Sequence, residues 1–165
     1  MGLAKLEYFK LHPDVVKPDF ATSGSACFDI RAHLQDGKTI KTYSNAFSTV
    51  KDGVLHLTPG ARALIPTGVV FNIPNGYSIR LHPRSGLAFK RGLTLSNCEG
   101  IIDSDYVEEV FVSVINQTSN AIRVTHGERI VQAEMQQTNY YQIRESSIRP
   151  ERTTRDGGFG STGTG

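Results

Sequence analysis

Tyr77-Ser78-Ile79-Arg80-Leu81-His82 sets apolar and polar side chains on alternate sides of an extended chain, the period of a half-buried strand. Val110, Val112 and Val114 share a face in the same way, and Leu6 to Leu11 and Ala61 to Ile65 also read as strands. Turn dipeptides separate these runs: Asp36-Gly37, Asp52-Gly53, Pro59-Gly60, Asn75-Gly76 and His126-Gly127. Short alternating strands closed by glycine turns predict an all-β protein, an antiparallel sandwich or barrel. No long stretch keeps a helical period. One short helix is predicted over Ser85–Arg91, with Ser85 as its N-cap and Gly92 as its stop.

Residues 38–54 are polar without a clear period and predict a hairpin excursion or a surface loop. From Glu145 onward the hydrophobic pattern fades. The expected organisation is a β domain over residues 1–148, with 38–54 as a polar insertion, and a glycine-rich C-terminal arm over 149–165. By composition that arm is disordered when alone.

The chain has 165 residues, enough for one domain with a sizeable core. Its 38% hydrophobic and 21% charged residues are ordinary for a soluble globular protein. A net charge of +2 does not suggest a broad nucleic-acid surface, so a bound polyanion should be small and met by local arginines and lysines. Cys27 and Cys98 form neither a CxxC pair nor a cluster with the five histidines, which disfavours structural zinc. They read as buried free thiols or as a lone disulfide. The N-terminus lacks a long apolar signal core, and no run approaches the roughly 20 apolar residues of a membrane span. The expectation is a soluble, cytoplasmic protein.

Five stretches could carry chemistry. In Ala26-Cys27-Phe28-Asp29-Ile30-Arg31-Ala32, Asp29 is either an acid on an exposed strand face or a ligand to metal-bound water. Arg84, Ser85 and Gly86 open the predicted helix, either as a capped basic turn or as a start whose free N–H groups meet phosphate. In Gly100-Ile101-Ile102-Asp103-Ser104-Asp105-Tyr106, a straight strand would point Asp103 and Tyr106 apart. A bend at Ser104-Asp105 would bring both to one ligand, where Asp103 could activate a water; otherwise the acids are turn aspartates. Val131, Ala133 and Met135 share a core face, so Gln132 points toward solvent, an interface or a ligand. The tail Gly157-Gly158-Phe159-Gly160-Ser161-Thr162-Gly163 reads as a linker or as a phosphate cradle, with Arg149, Arg152 and Arg155 before it.

Taken in order, these five stretches resemble the five motifs of the trimeric dUTPase family, from about Ala21 to Gly163. The resemblance implies a dUTPase-like, jelly-roll-like barrel or sandwich, assembled as a homotrimer with shared active sites. The C-terminal arm would close over a neighbouring subunit. It implies a Mg²⁺-dependent enzyme that hydrolyses dUTP to dUMP and pyrophosphate, limiting uracil in DNA. By the same resemblance Asp103 is the catalytic base, and Asp29 reaches the Mg²⁺ site through water. Arg84, Ser85 and Gly86 bind phosphate, Asn97 recognises uracil, Tyr106 packs on deoxyribose, and Gln132 lies near the phosphates. Phe159 covers uracil, and Ser161 and Thr162 contact the terminal phosphates. Gly100, Ile102, Arg155 and Gly160 complete the substrate-binding set. Val107 and Glu108 depart from the family pattern after the tyrosine. Thr154 stands where the fifth motif has arginine, which leaves the γ-phosphate contact to Arg152 or Arg155. Two rival readings share the fold: a dCTP deaminase using Glu99 or Glu109, and a catalytically silent binding protein.

Overall fold

The computed structural model describes residues 4–43 and 47–151. Where the sequence alternates, the chain is extended, because every second side chain then reaches one core while its neighbours stay in water. One antiparallel sheet runs β11 (Gly100–Ile102), β9 (Tyr77–His82), β14 (Arg129–Gln137), β3 (Phe28–Arg31) and β2 (Asp19–Phe20), in that spatial order. The other runs β10 (Leu93–Leu95), β12 (Phe111–Asn116), β7 (Arg62–Pro66), β4 (Thr39–Tyr43) and β5 (Phe47–Thr49). Two ribbons complete the all-β fold: β1 (Glu7–Lys10) with β8 (Val69–Asn72), and β6 (Val54–Leu57) with β13 (Ile122–Thr125).

The buried faces are the ones the alternation predicts. Val110, Val112 and Val114 lie inside with Ile79, Leu81, Val131 and Ala133. At one end of this core Asn116 is fully buried and fully bonded. Its Nδ2 donates to the carbonyls of Leu57 (3.0 Å), Thr58 (3.2 Å) and Asn120 (2.8 Å), and its Oδ1 accepts from Thr118 N–H (2.9 Å) and Oγ1 (2.8 Å). One side chain thereby ties the end of β12 to the turn leaving β6.

Within the 38–54 segment, β4 and β5 form a hairpin in which Thr39 pairs with Thr49 and Lys41 with Phe47. It is joined to the main sheet, because Thr42 pairs with Ala63 and Tyr43 with Arg62. Ile40 and Val50 are core residues.

Helix α1 spans Ser85–Arg91 as predicted, but its N-cap is Arg84, with no side-chain cap bond. Ser85 is therefore the first helical residue and its hydroxyl is not spent on capping. At the other end Gly92 has φ 62°, and its N–H meets the carbonyls of Ala88 and Leu87. A Cβ there would also lie 2.4 Å from Thr118 Cγ2, so glycine is required for backbone and space alike. Cys27 and Cys98 are both free thiols, Cys27 half-buried and Cys98 exposed. Burial raises the Cys27 thiol above its ordinary pKa, with Glu134 and Asp29 adding to the shift. Among the described residues no helix is long and apolar enough to cross a membrane.

Candidate active site

The site residues on the described chain fall into two clusters. The first surrounds a cavity of about 300 Å³ lined by Asn97, Gly100, Ile102, Asp103 and Tyr106, with Phe111 among the apolar residues of its wall. A turn at Ser104-Asp105, closed by Tyr106 N–H donating to Asp103 O (3.1 Å), brings the aspartate and the ring to this one space. Tyr106 Oη donates to Glu109 O (2.7 Å), which fixes the ring at the cavity mouth. Gly100 lies against β9: a Cβ there would sit 3.0 Å from Leu81 Cδ1, so glycine lets the two strands close.

The second cluster lies at the far end of the same sheet, where Asp29, Gln132 and His82 are register neighbours across β3, β14 and β9. Asp29 takes Arg84 Nε at 2.9 Å on one oxygen and Arg129 Nη1 at 3.1 Å on the other. Its side chain is only 13% exposed. Gln132 Nε2 donates to Pro83 O (2.9 Å), so it holds the backbone immediately before Arg84. Arg84 is thus steered from both sides, and the exposed Ser85 and Gly86 follow it into the helix.

One chain does not bring the two clusters together. Ile102 pairs with Ile79, whereas Arg84 lies five residues farther along the β9 segment. At the rise of an extended chain, Asp103 and Arg84 are roughly 15–20 Å apart. Arg152, Arg155, Phe159, Gly160, Ser161 and Thr162 lie outside the described residues.

The sequence profile of the family described as dUTPase matches residues 50–163. The deoxyuridine 5'-triphosphate nucleotidohydrolase of Brucella melitensis biotype 2 is 39% identical over 164 residues, covering 99% of this chain and 93% of its own. The chain belongs to the dUTPase family. Solved dUTPases share its fold. The Staphylococcus bacteriophage 80alpha dUTPase with dUPNHPP superposes with a TM-score of 0.77 at 21% identity, over 98% of this chain and 100% of the other. A mutant dUTPase from phage phi11 of S. aureus, solved to reveal how it coordinates a structural Mg(II) ion, gives 0.70 at 17% identity, over 88% and 98%.

Against this dUTPase frame the donor set at Asp29 can be tested for a metal. Two guanidinium groups already occupy its oxygens, which rules out a close cation in that arrangement. Each carboxylate oxygen keeps a second lone pair, so contact to a metal-bound water fits. A second group of potential ligands, Asp14, His33 and His126, lies within 4.8 Å. Its own hydrogen bonds use the nitrogens. His33 Nε2 lies 3.2 Å from both Asp14 oxygens, and an ionised carboxylate only accepts, so Nε2 carries the proton. Leu34 N–H donates to His126 Nδ1 (3.1 Å), which leaves the ring proton of a neutral His126 on Nε2.

Sequence reasoning missed Arg129. Strict alternation from Gln132 places it inward, but a bulge between Arg129 and Val131 re-aims it toward Asp29.

Proposed function

We propose that this chain is a dUTP diphosphatase that hydrolyses dUTP to dUMP and pyrophosphate in sites shared between the subunits of a homotrimer. The observation that carries the reading is the division of the site. A cavity bearing Asn97, Asp103 and Tyr106 stands roughly 15–20 Å from the Asp29–Arg84–Gln132 cluster, so the cavity of one subunit is completed by the second cluster of another. Tyr140, Tyr141, Ile143 and Ile148 support the assembly: all are at least 75% exposed beyond the last strand, apolar surface suited to burial on another copy.

Uracil enters the cavity and meets Asn97 and the backbone around Gly100. A hydrogen-bonded edge rejects cytosine because mismatched donors would stay unpaired, a discrimination that reaches roughly 10⁴–10⁵-fold in such sites. Tyr106 lies against the deoxyribose and leaves no room for a 2′-hydroxyl. Asp103 accepts a proton from the water that attacks the α-phosphorus, and the bond to the bridging oxygen of the leaving pyrophosphate breaks in line. From the other subunit Arg84, Ser85 and Gly86 meet the phosphates, and Asp29 and Gln132 hold Arg84 in place. Mg²⁺ carried by the triphosphate would neutralise charge on the leaving group, with Asp29 touching its water shell. Phe159, Gly160, Ser161 and Thr162 of the arm close over base and phosphates, with Arg152 or Arg155 on the γ-phosphate.

The deaminase reading requires a glutamate beside the base. Neither candidate lines the cavity: Glu99 turns to Arg80, and Glu109 accepts Gly68 N–H (2.7 Å). The test is pyrophosphate and ammonia release from dUTP, dCTP, dTTP and UTP with Mg²⁺. Pyrophosphate from dUTP alone supports the proposal; ammonia from dCTP, or no product from any of them, overturns it.

A further inference from the structure

The turn that carries Asn97 is held in an unfavourable backbone shape. Glu99 N–H donates to Asn97 O at 2.6 Å, closing a three-residue turn around Cys98, whose φ is 60°. Among the described residues only Asp52 and Cys98 are non-glycine residues with positive φ, and aspartate tolerates that region better than cysteine. Such a conformation persists where the surroundings over-determine it.

The surroundings are visible on both sides of the turn. Before it, Ser96 N–H donates to Ser113 O (2.9 Å) and the two hydroxyls meet at 2.5 Å, fixing the chain to β12. After it, Gly100 pairs with Leu81 on β9. Between these anchors Asn97 faces the cavity, while Glu99 points the other way. It shares the outward face of β11 with Ile101, and its carboxylate reaches the outward residues of β9. Oε2 lies 3.4 Å from Arg80 Nη1, and Oε1 lies 3.7 Å from His82 Nδ1. His82 is in turn held by Glu134 on β14 through Nε2 at 3.0 Å.

We infer that Glu99 is a positioning residue for base recognition, tethering the strained Asn97–Glu99 turn to Arg80 so that Asn97 keeps its aim into the cavity. The inference rests on the reading of Asn97 as a uracil-binding residue. Glu99 does not line the cavity, so it acts on the base only through the turn. Its effect belongs in substrate binding and not in the chemical step.

A partly exposed tether of this kind predicts that Glu99→Ala raises KM for dUTP and Kd for dUMP about twofold to fivefold, with kcat and Tm unchanged. Glu99→Asp should fall between alanine and the wild type. Glycine adopts φ 60° freely, so adding Cys98→Gly to Glu99→Ala removes the need for the tether and should return KM toward the wild-type value. An unchanged KM in Glu99→Ala, a fall in kcat at constant KM, or no rescue by Cys98→Gly overturns the role of Glu99. Asn97→Ala measured alongside separates the two levels. If it raises KM while Glu99→Ala does not, only the tether fails; if Asn97→Ala also leaves KM unchanged, the base-recognition reading fails with it.

Discussion

Asp29→Asn separates two ways in which a carboxylate can act near a triphosphate. In the structure Asp29 accepts from Arg84 at 2.9 Å and from Arg129 at 3.1 Å, one guanidinium on each oxygen. Asparagine keeps one acceptor and turns an NH₂ group against the other arginine. The Arg84 pair is the sheltered one, with side chains 25% and 13% exposed. A charge-assisted bond in such a place is worth about 1.5–3 kcal/mol. Arg129 is 43% exposed, so solvent screens its pair to less than about 1 kcal/mol. Removing a negative charge would in itself help an anionic substrate, but across water that gain is about 1 kcal/mol or less. Loss of orientation therefore wins by about 2 kcal/mol, and kcat/KM for dUTP should fall about thirtyfold. Steady-state pyrophosphate release measures it, with thermal unfolding to show that the β core is intact. A kcat/KM equal to or above the wild-type value would refute the argument, because Asp29 would then be a repelling charge and not the holder of Arg84.

Asn116→Ala strips the bonds that join β12 to the turn after β6, and should cost about 3–5 kcal/mol of folding stability in urea titration. A loss below about 1 kcal/mol would contradict the burial of that network. Hydrogen bonding from His33 holds the Asp14 carboxyl below its ordinary pKa of 3.8, outweighing the opposite effect of desolvation. A group depressed on folding stabilises the protein above its unfolded value, and that contribution is lost as pH falls through the folded value. Asp14→Asn should accordingly lower Tm at neutral pH, and the difference from wild type should vanish on acidification below pH 3.8; a Tm gap independent of pH would contradict it.

How much of this was legible beforehand depends on the range of the interaction. The core faces of β9 and β12 follow from alternation alone, since burial needs only local period. The bend at Ser104-Asp105 was readable from turn chemistry, and the structure closes it as expected. The helix span was readable too, but the cap was not: Arg84 is held by Asp29 and Gln132 contacts from distant strands, which leaves Ser85 inside the helix. In residues 38–54 the alternation of Thr39, Ile40, Lys41, Thr42 and Tyr43 was masked because polar threonine occupies a buried position. The Arg129–Asp29 pair was out of reach because a single bulge inverts the face a residue takes. Arg80, His82, Glu99 and Glu134 likewise meet only through the registers of β9, β11 and β14.

The most direct test of the proposed shared site is complementation between two inactive variants. Asp103→Asn removes the proposed base from one cluster, and Arg84→Ala removes the proposed phosphate contact from the other. Each alone should form trimers with almost no dUTP hydrolysis. Co-expressed in equal amounts they should form mixed trimers in which about a quarter of the sites pair an intact Asp103 with an intact Arg84 from another subunit. Recovery of about a quarter of the wild-type rate is the predicted result. Mixed trimers that stay as inactive as either parent, or near-normal turnover by Asp103→Asn alone, would contradict the account.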